Sequence, residues 1–158
     1  MDTSLLFKIH KALLMRRKTL SVAESCSGGM LCERLTANPG ASGYFMLGVV
    51  VYSNASKQKV LRIPGRMIAG FGAVSRQVAT AMAVNVRQIA KTDFGIGVTG
   101  IAGPKGDAGG KPVGTVFICV SSGKRNACRK FNFKGTRQEI RKKSVREALR
   151  LLCAHLSP

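Results

Sequence analysis

Ala23-Glu24-Ser25-Cys26-Ser27-Gly28-Gly29 separates two kinds of sequence. Before it, Thr19 to Ala23 reads as a short strand. Beyond it, Met30 to Ala37 carries a helical pattern that Asn38-Pro39-Gly40 brings to a stop. A strand that passes through small hydroxyl and thiol residues into a helix is a strand-to-helix elbow, a joint from which α/β folds are built. The free backbone N–H groups and the positive dipole end of such a helix attract negative charge, which suits a nucleophile, an anion site or both. Ser25 and Ser27 also fit the plainer role of helix cap. Cys26 stands where a helix start is expected to lower a thiol's pKa.

Outward from the elbow, helices and strands alternate. Ser4 to Arg17 has Leu5, Leu6, Ile9, Leu13 and Leu14 at helical spacing and reads as an amphipathic packing helix, with His10 in a structural role. Phe45 to Ser53 is a continuous Val-rich apolar run, the pattern of a strand buried on both faces, and ends in a polar tip at Tyr52-Ser53-Asn54. Ala55 to Leu61 follows as a short helix with Lys57 in its first turn, closed by Pro64-Gly65. After a loop and cap at Gly72 to Ser75, Arg76 to Lys91 places Val78, Met82, Val86 and Ile89 on one helical face. Phe94 to Thr99 is a strand running into Gly100–Gly110, a stretch with five glycines that permits close backbone approach to a ligand. Gly114 to Ser121 and Ala127 to Phe133 read as an antiparallel hairpin. Thr136-Arg137-Gln138-Glu139 has capping-box spacing and opens a last helix with Ile140, Ala148, Leu152 and Leu156 facing inward; His155 is read as structural. The expectation is a single α/β domain over residues 1–158, a mixed sheet with helices on both faces.

Composition narrows the function classes. The chain has 158 residues, enough for one domain with a real core, and no uncharged apolar run of membrane-spanning length, since Lys8, Lys11 and Arg16 interrupt the first apolar stretch. Those charges also argue against a signal peptide, and the cytoplasm is the expected location. The five cysteines are odd in number and show no paired C-x-x-C spacing, so neither zinc nor a disulfide framework is indicated. Lys and Arg total 26 against 7 Asp and Glu, a net charge of +19. Eleven of those basic residues lie after Gly123: Lys124, Arg125, Arg129, Lys130, Lys134, Arg137, Arg141, Lys142, Lys143, Arg146 and Arg150. Such a surface attracts phosphates or nucleic acid, although the absence of Trp and the two Tyr leave few stacking platforms.

Three strand ends carry unusual polar groups: Ser25 and Cys26, then Tyr52 to Lys57, then Thr99 with the glycine-rich loop. In open α/β sheets ligands bind outside the carboxyl ends of the strands, which puts all three on one rim. The histidines sit in terminal helices, away from a Ser-His-Asp arrangement, and no metal cluster, Walker A or dinucleotide fingerprint is present. What remains is a serine activated without histidine, by Lys57 or Tyr52, with amides at the second helix start as oxyanion or phosphate donors. Taken singly, Lys57 reads as a surface lysine and Tyr52 as a packing residue at a strand end.

Ala23–Gly29, Val51-Tyr52-Ser53-Asn54-Ala55-Ser56-Lys57, Gly72-Ala73-Val74-Ser75, Val98-Thr99-Gly100-Ile101-Ala102-Gly103-Pro104 and Lys111-Pro112-Val113-Gly114, in that order, resemble the CinA C-terminal domain family of nicotinamide-nucleotide amidohydrolases. The resemblance implies a three-layer α/β/α sandwich, no cofactor, and hydrolysis of nicotinamide mononucleotide to nicotinate mononucleotide and ammonia. It makes Ser25 the nucleophile with Tyr52 and Lys57 as catalytic partners. Cys26, Ser27, Gly28, Thr99, Gly100, Gly103, Arg137 and Arg141 become substrate-binding residues, one of the two arginines meeting the phosphate. It also implies a homo-oligomer, dimer or trimer, and relates the chain to the later domain of larger two-domain proteins. Ser27 stands where many members have Thr, and Gly135-Thr136-Arg137 replaces the usual Gly-Asp-Arg. The +19 charge lies outside the resemblance and keeps a nucleic-acid-binding domain of the same fold as the alternative.

Overall fold

The computed structural model describes residues 3–106, 109–123 and 125–156; Asp107, Ala108 and Lys124, and the chain ends of the expected 1–158 domain, lie outside the described residues. Five strands form one sheet in the order β2-β1-β3-β4-β5, with β1 Leu20–Glu24, β2 Phe45–Val50, β3 Phe94–Gly100, β4 Thr115–Ser122 and β5 Asn126–Asn132. β1 pairs in parallel with both β2 and β3, while β3–β4 and β4–β5 are antiparallel, so the sheet is mixed. Helices α1 Thr3–Met15, α2 Met30–Thr36 and α6 Arg137–Leu156 share one core with one face of the sheet. Helices α3 Asn54–Leu61, α4 Gly65–Phe71 and α5 Arg76–Ala90 cover the other. This is the three-layer α/β/α arrangement.

The central contact is α5 against β3. A Cβ on Gly95 would lie 2.1 Å from the Ala83 carbonyl oxygen, and one on Gly97 would lie 2.3 Å from that of Ala79. Only glycine on the strand and alanine on the helix allow backbones this close, and the approach seats Val78, Met82 and Val86 fully in the core. At the opposite end of the strands, Asp93 accepts hydrogen bonds from the Thr19 N–H and hydroxyl and from Lys18. These bonds tie the entries of β1 and β3 together and leave their carboxyl ends to form the site.

Several expectations need correction. β2 is an edge strand, and its exposure alternates along its length, with Met46 and Val50 nearly half exposed. A Val-rich run alone does not reveal whether a second neighbouring strand exists, and here one face lacks full cover. Pro64-Gly65 does not close the unit: Pro64 caps α4, because proline's fixed φ suits a helix start as well as a stop. Leu14 and Ile89 keep helical spacing but fall on the rim of their stripes and are exposed. The capping box of α6 is present as expected, Glu139 accepting from the Thr136 N–H and hydroxyl while Thr136 Oγ1 accepts from the Glu139 N–H.

Candidate active site

The carboxyl ends of β1, β2 and β3 open on one cavity of about 270 Å³, lined by Ser25, Cys26, Tyr52, Lys57, Thr99 and Arg137 among others. Its geometry begins with Glu24, the last residue of β1 and wholly buried. Glu24 Oε2 accepts from the N–H groups of Gly29 and Leu31 at 3.1 Å each, and Oε1 from that of Cys32 at 2.8 Å. A carboxylate thus takes the orphan amides of α2 from within the turn. Charge at a helix N-terminus is favourable in itself, and here it comes from the chain.

This arrangement corrects two expectations. Neither Ser25 nor Ser27 caps α2: Gly29 is the N-cap residue, with no side-chain cap bond, and the buried Ser27 hydroxyl finds no hydrogen-bond partner among the described residues. Nor is the Cys26 pKa lowered on balance: the amides of Cys26 and Ser27 pull it down, and burial outweighs them. Burial, together with the charge of Glu24, pushes the thiol up to about 12, so it stays protonated. Glu24 is the functional residue that sequence reasoning passed over. A cap that reaches forward five to eight residues across a turn has no local spacing signature.

The released Ser25 faces Lys57. Ser53 caps α3 through a bond from the Ser56 N–H, which sets Lys57 one turn in with its side chain directed under the tip of β2. Lys57 is only 2 % exposed, against its reading as a surface lysine. Its Nζ lies 3.1 Å from Ser25 Oγ, 2.9 Å from the Val51 carbonyl and 3.3 Å from that of Tyr52. Burial lowers its pKa from 10.5; the nearby Cys26 sulfur works weakly the other way. The two carbonyls only accept, so Nζ donates to both, and it donates to Ser25 Oγ as well.

Tyr52 meets the site at two points. Its backbone carbonyl holds Lys57, while its half-exposed phenol oxygen accepts a 2.6 Å bond from Arg137 at the rim. Arg137 also donates to the Gly103 carbonyl, joining the glycine-rich loop to the start of α6. Thr99 lines the floor and donates its hydroxyl to the Ala73 carbonyl, and Gly100 passes so near the elbow that a Cβ there would lie 3.0 Å from Cys26 Sγ. Three expected substrate-binding residues stand apart from the cavity. Arg141 donates through Nε and an Nη to the Ser27 carbonyl at 3.2 and 2.8 Å, and Gly28, at φ 60°, lies beside that guanidinium. Ser27, Gly28 and Arg141 therefore brace the back of the elbow. Among the described residues, no backbone carbonyl takes the N–H of Cys26 or Ser27. Three or more His, Cys, Asp or Glu side chains grouped as for a metal are likewise not found among them.

With the elbow, the buried lysine and the glycine-rich loop converging on one cavity, comparison with known proteins is decisive. The CinA C-terminal domain family matches residues 2–156. The chain belongs to that family. A CinA-like protein of Koribacter versatilis is 50% identical over 137 residues, covering 87% of this chain and 33% of the relative. One from Geobacter is 46% identical over 149 residues, covering 92% and 36%. The chain thus spans about a third of the length of these curated relatives. Among solved structures, a CinA superfamily protein from Klebsiella pneumoniae superposes with a TM-score of 0.94 at 30% identity, covering 97% of this chain and 96% of that one. A competence or damage-inducible protein from Enterobacter asburiae does so at 0.94 and 34% identity, covering 97% and 96%. Among the described residues no helix is long and apolar enough to cross a membrane.

If Glu24 fixes the elbow, Glu24→Ala should destabilise the protein by about 3 kcal/mol or more, because buried amides lose a charged acceptor. Glu24→Gln, which keeps one acceptor oxygen, should cost less. Urea unfolding measures both, and wild-type stability in the alanine variant would remove Glu24 from this role.

Proposed function

We propose that this chain hydrolyses the carboxamide of nicotinamide mononucleotide, acting in the cytoplasm to return ammonia and nicotinate mononucleotide. The observation that carries the reading is the 3.1 Å contact between buried Lys57 and Ser25 at the carboxyl end of β1. Neutral Lys57 accepts the serine proton as Oγ attacks the amide carbonyl, so a base with a depressed pKa serves where histidine usually would. The resulting ammonium keeps its bonds to Val51 and Tyr52 and hands its proton to the amide nitrogen as the C–N bond breaks. Ammonia leaves, and water activated by the same amine hydrolyses the acyl-enzyme. The N–H of Cys26, a residue of the cavity lining, is the donor for the tetrahedral oxyanion. Arg137 at the rim, with Lys105 also lining the cavity, would receive the phosphate; Arg141, behind the elbow on the Ser27 carbonyl and off the cavity lining, would not.

Ammonia release from nicotinamide mononucleotide is expected to fall at least about a thousandfold in Ser25→Ala, and about a hundred- to ten-thousandfold in Lys57→Arg, which keeps charge but cannot act as base. Cys26→Ala should retain most activity, because the thiol is held protonated. If Cys26→Ala is dead and Ser25→Ala active, the nucleophile is the thiol. The sign of the pH dependence follows from Lys57: below its folded pKa the ammonium cannot take the serine proton. Activity should therefore rise with pH along one limb whose midpoint lies below 10.5. A flat profile would exclude Lys57 as base. Arg137→Ala should raise KM about tenfold with little change in kcat; the reverse pattern would place Arg137 in the chemical step.

A second reading, nucleic-acid binding, is favoured by a separate observation. The five described carboxylates are all engaged: Glu24 with amides, Glu33 with Arg34, Asp93 with Lys18, Glu139 in the capping box and Glu147 with Arg146 and Arg150. The excess of basic residues on β5 and α6 is left largely unbalanced. Binding to duplex DNA should weaken steeply as salt rises; no binding at low salt would dispose of this reading.

A further inference from the structure

The β4–β5 ladder sets Cys119 directly opposite Cys128. Its end bonds fix the character of that pair. Ser122 N–H donates to the Arg125 carbonyl at one end, and Phe133 N–H donates to the Gly114 carbonyl at the other. Hydrogen-bonded pairs alternate along an antiparallel ladder, and counting from either end puts Cys119 and Cys128 in the non-hydrogen-bonded set. Pairs of that set have Cα atoms about 4.5 Å apart and bring their side chains closest, within the roughly 4.4 to 6.8 Å span that a disulfide bridges. Both cysteines are reduced.

Their surroundings suit chemistry between them. Both pack in the apolar cluster of Val74, Ala79, Ala83, Ile101 and Phe117 beneath α5. The Cys119 thiol hydrogen-bonds to the Cys128 sulfur, and the Thr80 hydroxyl reaches both. Arg76 closes the outer side, donating to the Cys128 carbonyl at 2.6 Å, while the Cys128 thiol lies 3.9 Å from the Arg76 carbonyl oxygen. Cys119 is fully buried, whereas Cys128 is partly open on the edge strand.

We propose that Cys119 and Cys128 form a peroxide-reactive dithiol site, in which a hydroperoxide converts the facing pair into a cross-strand disulfide. The hydrogen bond from Cys119, supported by Thr80 and Arg76, outweighs burial and holds Cys128 below the ordinary thiol range. That same contact and burial push Cys119 well above it. Cys128 is thus the attacking thiolate. Its sulfur takes the terminal peroxide oxygen, the O–O bond breaks, and the other oxygen leaves as hydroxide or alkoxide and is protonated. Cys119 sulfur then attacks the sulfenic sulfur, and the departing hydroxide takes the Cys119 proton as water. Two thiols are oxidised by two electrons, and one peroxide is reduced. Val74 and Ile101, which pack on the pair, also line the cavity, so the new bond forms directly beneath the candidate active site.

Peroxide treatment of the full chain, followed by peptide mapping without reduction, should link the Cys119 and Cys128 peptides. The intact mass should fall by two hydrogens and return with dithiothreitol. In Cys119→Ser, which keeps a hydrogen-bond donor to Cys128 but cannot close the disulfide, Cys128 should stop at the sulfenic acid and take a dimedone label; Cys128→Ser should give neither label nor disulfide. These readouts need no substrate, so their outcome is separate from that of the amidase assay. A wild-type chain that keeps both thiols under peroxide, or links other cysteines instead, overturns the proposal even if a variant fails to fold. An unlabelled Cys128 in a folded Cys119→Ser also overturns it.

Discussion

Much of this site depends on where one carboxylate sits. Glu24 is buried at the end of β1 and takes three amides of the turn and of α2. A helix start of this kind would otherwise be a ready anion site, or would require a serine as its cap. With Glu24 in place, the positive end of α2 is neutralised internally, and Ser25 is released from capping. The same negative charge raises the pKa of Cys26 and Cys32, burial being the larger cause in each. Through one interaction the elbow thus keeps the Cys26 thiol protonated and leaves the Ser25 hydroxyl to face Lys57.

Lys57 completes that selection because its burial has a cost that depends on protonation. An ammonium held away from water is penalised, and three oxygens around Nζ offset only part of this, as its lowered pKa indicates. The environment shifts the amine toward neutrality without exposing it. That requires a rigid frame, supplied by the Ser53 cap of α3 and by the Val51 and Tyr52 carbonyls at the tip of β2. Tyr52 serves twice in this frame, through its carbonyl toward the lysine and through its phenol toward Arg137.

Features carried by short-range pattern were legible in the sequence. The elbow between β1 and α2, the face of α5 formed by Val78, Met82 and Val86, the β4–β5 hairpin and the Thr136–Glu139 capping box all follow from spacing within a few residues. Convergence of Ser25, Lys57 and Thr99 followed from the strand-end rule. What was not legible depends on tertiary neighbours. Whether Phe45–Val50 is a central or an edge strand is decided by a partner that its own residues do not specify. Lysine is usually exposed, so only the fold reveals that Lys57 is buried. Glu24 caps across a turn, and Arg141 grips the elbow from a helix more than a hundred residues later.

The +19 charge acquires a length scale once the site is located. Among the described basic residues, only Lys57, Lys105 and Arg137 line the cavity. Screening at physiological salt extends over about 8 Å, so a small anion inside responds chiefly to the cations at its rim. The basic residues of β5 and α6 beyond that distance add little to its affinity, although they raise the rate at which anions approach the surface. An extended polyanion differs because it touches many cations at once and releases counterions at each contact. The charges that would hold a mononucleotide and those that would hold a polymer are therefore largely different residues. Arg137, at the start of α6 and on the cavity rim, is where the two sets meet.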